Sequence, residues 1–253
     1  MIKVENLEMS FKSELTSEKQ TVLKGLNFEV NQGDCLAVLG ESGSGKSTLG
    51  RILVGLLKPT KGNYYFLDTN PYNSKKDKKV LCENMSIVFQ DYNTSVNPRF
   101  TISQIIGESI DVLKRRNKVK VDKKQKIREY LEAVGLDESY ADRFPHQLSG
   151  GQLQRVCIAR AIAIQPKVIL FDEAISSLDA HTQVQVMDLL KDLQEKYKLT
   201  YIFITHDLTS VTYLCNKVMF LYQGNITELI DVEDIANTKD EYAKKLLNAV
   251  IEI

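Results

Sequence analysis

Gly40, Glu41, Ser42, Gly43, Ser44, Gly45, Lys46, Ser47 and Thr48 follow the spacing G-x-x-x-x-G-K-[ST]. Glycine lets successive backbone amides turn inward around phosphate oxygens without a side-chain collision. Lys46 has the reach to meet β- and γ-phosphates, the Ser47 hydroxyl is a ligand for Mg²⁺, and a helix N-terminus behind them adds its positive end. That chemistry is the binding of a nucleotide. A second stretch, LSGGQLQR at 148–155, again sets two glycines behind a serine where a helical pattern begins. Ser149, Gly150, Gly151 and Gln152 would offer helix-start amides to another phosphate. VILFDE at 168–173 ends in two acids. Asp172 is suited to hold a metal's water shell and Glu173 to polarise an attacking water. Two more polar residues close apolar runs: Gln90 after SIVF and His206 after YIFIT. Gln90 is a candidate for catalysis and, with Ser47 and Asp172, for Mg²⁺. His206 is a candidate sensor of the γ-phosphate.

These residues need a parallel sheet to bring them to one edge. CLAVL at 35–39 is a short, continuously apolar run, as expected of a strand buried on both faces, and the glycine loop follows it directly. Helical periodicity runs from Ser47 until KPTKG at 58–62 ends it. The first thirty residues read as edge strands around a polar loop at 12–20, with Leu26, Phe28 and Val30 on one buried face, and NQGD at 31–34 is a turn. NYYFLD reads as a further strand and KKDKK at 75–79 as a surface loop. From about 95 to 160 apolar residues recur at helical spacing (Ile102, Ile105, Ile106; Ile127, Leu131, Val134), predicting a helical insert that carries LSGGQ. Strand and helix then alternate again. Val184, Met187, Leu190 and Leu193 share one helix face, and KVMFLY and NITELI flank QGN. The reading is one α/β domain over 1–253: a mostly parallel sheet, an N-terminal antiparallel β subdomain, a helical subdomain and a helical tail from about 231.

The bulk properties exclude other classes. With 33 Lys+Arg against 33 Asp+Glu, no net field attracts nucleic acid or acidic lipid. No apolar run approaches the ~18 residues of a membrane span, and MIKVENLEMS lacks the form of a signal peptide. Any membrane role is expected to come through a partner. The basic run KRRNKVKVDKKQK at 114–126 reads as a solvated face of the helical insert. Cys35, Cys82, Cys157 and Cys215 are scattered, without a CxxC pair, and three stand in apolar runs; free thiols in a reducing compartment are expected.

Taken in order, the glycine loop, strand-end Gln90, LSGGQ, strand-end Asp172–Glu173, the SSLD loop and strand-end His206 resemble the ATP-binding cassette family over nearly the whole chain. The resemblance implies a P-loop ATPase using ATP and Mg²⁺, with Glu173, His206 and Gln90 in catalysis. It implies two cassettes meeting head to tail, so that Ser149, Gly150, Gly151 and Gln152 clamp the partner's ATP. It places Asp179 at the dimer interface and Phe11 on the adenine. Where the family usually has proline after the catalytic acid, this chain has AISSLD at 174–179.

VFQDYNTSVNPR at 88–99 and DEYAKKLLNAV at 240–250 are similar to importers of the dipeptide, oligopeptide and nickel class. Residues 148–179 are especially similar to the second ATPase subunit of nickel importers, and the cysteine cluster that often closes oligopeptide relatives does not follow. Nickel or a related transition metal, free or chelated, is therefore favoured as cargo over peptides. An exporter ATPase and a soluble ATPase of DNA repair or translation remain as further readings. The implied partners are a second, paralogous ATPase subunit, two integral-membrane permeases that hold the chain at the cytoplasmic face, and an extracytoplasmic substrate-binding protein, with no nucleic acid. His146 and His181 have no soft ligand at helical spacing, so no resident nickel site is expected.

Overall fold

The computed structural model describes residues 1–12, 19–118 and 121–251, the last three by backbone alone. The elements run β1 (Ile2–Lys12), β2 (Lys19–Val30), β3 (Cys35–Leu39), α1 (Lys46–Leu53), β4 (Lys61–Phe66), α2 (Lys75–Asn84) and β5 (Met85–Phe89). They continue as α3 (Ile102–Asn117), α4 (Lys123–Ala133), α5 (Gly150–Ala163), β6 (Val168–Asp172), α6 (Ala180–Tyr197), β7 (Thr200–Thr205), α7 (Leu208–Leu214), β8 (Lys217–Tyr222), β9 (Asn225–Asp231) and α8 (Glu241–Ile251). Most of the loop expected at 12–20 lies outside the described residues.

The chain divides into two compact units, Met1–Cys82 with Thr200–Ile253, and Glu83–Leu199. In the first, β1 pairs antiparallel with β2 on one side and β4 on the other. It is therefore the central strand of three, not an edge, because NYYF returns to pair along its free side. Leu26, Phe28 and Val30 are buried as their alternation predicts, together with Ile2, Val4, Tyr64 and Phe66. β3 lies between β7 and β8, parallel to both, and all five of its residues are buried. That two-sided burial is what a continuous apolar run requires. β8 turns back antiparallel into β9 through Gln223 and Gly224, both at positive φ (47° and 82°), as a two-residue hairpin turn demands.

Two further expectations fail in this part of the chain. α1 stops at Leu53, short of KPTKG, because Gly55 adopts φ 77° and the amides of Leu56 and Leu57 both turn back to the Arg51 carbonyl. KKDKK is not a loop but the first half of α2. The Ser74 hydroxyl accepts from the Asp77 amide (3.1 Å), the lysines stand exposed, and Leu81 supplies the single buried anchor.

In the second unit β5 and β6 pair in parallel. α3 opens on a capping box between Thr101 and Gln104 and buries Ile102, Ile105, Ile106, Ile110 and Leu113. α5 is buried on most sides, at nine residues that include Gln154 and Cys157. On α6 the buried face is Val186, Met187, Leu190 and Leu193, and Val184 is 44% exposed. Traced back seven residues from Leu190, the stripe reaches Gln183, which donates to the Ile175 carbonyl, so Val184 turns outward. The basic run ends α3 and begins α4. Its cations near the α3 C-terminus suit the helix dipole, and Lys123 meets Asp111 at 2.6 Å, with further pairs Lys126–Glu129 and Arg128–Glu138. Cys35, Cys157 and Cys215 are buried and Cys82 is exposed. The cysteines are less scattered than their numbering: the sulfurs of Cys35 and Cys215 lie 3.1 Å apart.

Candidate functional site

The loop 40–48 joins β3 to α1, and its shape is set by backbone that only glycine adopts easily. Gly43 has φ 81° and Gly45, the N-cap of α1, has φ 109°. Gly45 offers the first-turn amides no side-chain acceptor, whereas α3, α4, α5, α6 and α7 each begin under one. Lys46 is 5% exposed and folds back on its own loop, donating from Nζ to the carbonyls of Gly40 (2.7 Å) and Glu41 (2.9 Å). Ser44 Oγ is buried with no hydrogen-bond partner. Buried polar atoms nearly always have one. An orphaned hydroxyl beside a buried ammonium and an uncapped helix start fits a ligand rich in anionic oxygen, so the loop suits a nucleotide's phosphates.

The register Leu39↔Thr205 makes Gly40 and His206 the next residues past paired strand ends. His206 is exposed there, and Asp207 behind it accepts from the Thr209 and Ser210 amides to cap α7. Phe11, near the end of β1 opposite Gln20, is 41% exposed, with ring surface open to a partner.

The second unit repeats the device. The register Phe89↔Asp172 makes Gln90 and Glu173 neighbours past the ends of β5 and β6, and Gln90 Nε2 donates to Glu173 Oε2 at 3.2 Å. Asp172 closes β6, half-buried. Glu173 itself adopts φ 49°, an unusual conformation for a residue with a side chain. Ser176 holds it there, donating both its amide (3.3 Å) and its hydroxyl (2.8 Å) to the Glu173 carbonyl. The AISSLD departure thus keeps a structural function in Ser176, and its Ala174 and Ile175 are buried.

Ser149 is the N-cap of α5. Its hydroxyl accepts from the Gln152 amide (3.3 Å) while Gln152 Oε1 accepts from the Ser149 amide (2.9 Å). Gln152 Nε2 continues to the Tyr140 hydroxyl at 2.9 Å. A Cβ on Gly150 would lie 2.5 Å from Tyr92 Oη, and one on Gly151 2.6 Å from Thr182 Cγ2. Thr182 in turn donates its amide (3.0 Å) and hydroxyl (2.7 Å) to Asp179, the N-cap of α6, holding that carboxyl below the usual carboxylate range. The structure therefore joins Gly151 to Asp179 through Thr182, a residue the sequence reading passed over. Its position three after Asp179 was the available sign of a cap. Tyr92 and Tyr140 carried no such sign.

Among the described residues no cluster of three or more His, Cys, Asp or Glu is arranged to hold a metal ion, and no helix is long and apolar enough to cross a membrane.

Residues 23–176 match a family model described as ABC transporter. The chain is 42% identical over 249 residues to the metal-staphylopine import system ATP-binding protein CntF of Staphylococcus aureus, covering 98% of each. It is 42% identical over 228 residues to the oligopeptide transport ATP-binding protein OppF of Bacillus subtilis, covering 89% of this chain and 74% of that one. Among solved structures it is similar to the dimeric ATP-binding cassette MJ0796 in a post-hydrolysis state bound to ADP and Pi. There the TM-score is 0.80 at 30% identity, over 92% of this chain and 99% of that one.

Proposed function

The chain belongs to the ABC transporter family and hydrolyses ATP, and from that premise we propose that it is the ATPase subunit of an importer for nickel or a related transition metal, free or chelated. The observation that carries the nucleotide site is the loop at 40–48, with Ser44 Oγ orphaned beside buried Lys46. In this reading residues 40–48 hold the ATP phosphates, Phe11 stacks on adenine, and Ser47, Gln90 and Asp172 serve Mg²⁺, which neutralises phosphate charge when bound. Glu173 draws the proton from the attacking water, Gln90 holds that carboxylate in place, and His206 meets the γ-phosphate.

The whole of 1–253 acts as one nucleotide-binding domain, with a helical subdomain at about 95–160 and a tail from about 231. Ser149, Gly150, Gly151, Gln152 and Asp179 face the ATP of a second, paralogous ATPase. Ser149 is suited to this: its hydroxyl accepts within the capping box and keeps its own proton to donate outward. Two permeases hold the chain at the cytoplasmic face of the membrane, and a binding protein delivers cargo outside.

Metal cargo is supported by similarity to CntF, whose name specifies metal–staphylopine import. A peptide importer is the second reading, favoured by equal identity to OppF. Reconstitution with its permeases and binding protein tests both. Nickel, alone or with a small chelator, should accumulate with ATP while peptides do not, and the reverse result would select the peptide reading. Within the complex Ser149→Arg should leave nucleotide binding by this chain intact and block ATP-driven closure.

A further inference from the structure

Tyr242 carries the tail helix to the phosphate loop. The backbone amide of Glu41 donates to Tyr242 Oη at 2.9 Å. Tyr242 is held from two directions. Its ring packs on Tyr222 at the end of β8, with centroids 4.3 Å apart and planes tilted by 31°. Its helix is started by Asp240, whose carboxylate accepts from the Ala243 amide at 2.9 Å. The segment before it is tied to β9, where Glu228 accepts from the Thr238 hydroxyl and the Lys239 amide. The hairpin that carries Tyr222 also touches the loop: a Cβ on Gly40 would lie 2.3 Å from the Leu221 carbonyl oxygen, and the Gly224 amide donates to the Ser44 carbonyl (3.1 Å).

One peptide plane connects this support to the lysine. The Glu41 N–H and the Gly40 C=O belong to the same planar trans peptide and point in opposite directions. Tyr242 takes the N–H edge, and Lys46 Nζ donates to the C=O edge at 2.7 Å. Rotation of that plane would break both bonds together. Burial raises the Tyr242 phenol above its ordinary value, so the group stays a neutral hydroxyl whose oxygen can accept. We infer that Tyr242 is a positioning residue of the nucleotide site, which fixes the Gly40–Glu41 peptide and through it the resting place of the Lys46 ammonium. The inference rests on the reading of residues 40–48 as the ATP site, and it makes the tail helix part of that site's support.

Tyr242→Phe keeps the ring on Tyr222 and removes only the acceptor. In the full chain, two quantities are measured: ATP affinity by titration, and residue-resolved hydrogen exchange at the Glu41 and Leu49 amides. The expected result is ATP binding weakened about three- to tenfold, the range of one neutral hydrogen bond. Exchange at Glu41 should quicken while Leu49, bonded within the α1 start, is unchanged, as is the thermal midpoint. Wild-type affinity in Tyr242→Phe overturns the inference, and so does weakened affinity without faster exchange at Glu41. Lys46→Ala is the control on the site itself. If that variant still binds ATP normally, the nucleotide reading fails first, a result distinct from any outcome at Tyr242.

Discussion

Within residues 40–48, Gly43 and Gly45 serve the backbone, with φ of 81° and 109°, and the loop holds a buried lysine. At 149–152 the glycines serve the neighbours. Gly150 and Gly151 lie in the first turn of α5, in ordinary helical backbone, and their missing Cβ atoms leave room for Tyr92 and Thr182. One loop is shaped by its own conformation and the other by what packs on it. The first therefore resists substitution at the level of the fold, and the second at the level of the surface it presents.

The largest expected effect compares the chemistry the two units supply. Glu173→Gln in the assembled transporter should lower ATP turnover by at least the ~10²-fold typical of general-base loss while ATP still binds. Near-normal turnover would remove Glu173 from that role. Next comes the backbone itself. Gly45→Ala places a Cβ 2.7 Å from Leu23 Cδ2 at a left-handed φ, which should cost about 2 kcal/mol in denaturant unfolding and impair nucleotide binding. Ser149→Ala removes the α5 cap and should cost about 1 kcal/mol in the same assay. The smallest effect belongs to Gly151→Ala. Helix propensity gains from alanine and offsets the small shift that the Thr182 methyl must make, so stability should stay within about 0.5 kcal/mol of wild type. If Gly151→Ala destabilises as much as Gly45→Ala, the contrast between backbone and neighbours is wrong.

That contrast also governs what the sequence made legible. The glycine loop could be read because its spacing is its geometry, and β3 because a run of five apolar residues fits a strand covered on both faces. The pair Gln90–Glu173 could be anticipated from two strand ends, although the 3.2 Å hydrogen bond needs the β5–β6 register. Tyr92, Tyr140 and Tyr242 could not, since each acts through a partner at least ten positions away. KKDKK was misread because four lysines look like a loop when the one apolar residue that anchors the helix, Leu81, lies two residues past the charged run. β1 was misread as an edge because alternation reports faces, not the number of strands alongside.

Glu173 adopts a left-handed backbone that a side chain makes unfavourable by roughly 1–2 kcal/mol. Glycine there would relax the chain and leave Ser176 bonded as before. Position 173 is thus held against the grain of folding, which is the cost the proposed base would carry for placing its carboxylate at the strand end. In a lineage whose transporter no longer needed to burn ATP, glycine would be the residue expected to drift in here, because it alone relieves the left-handed backbone.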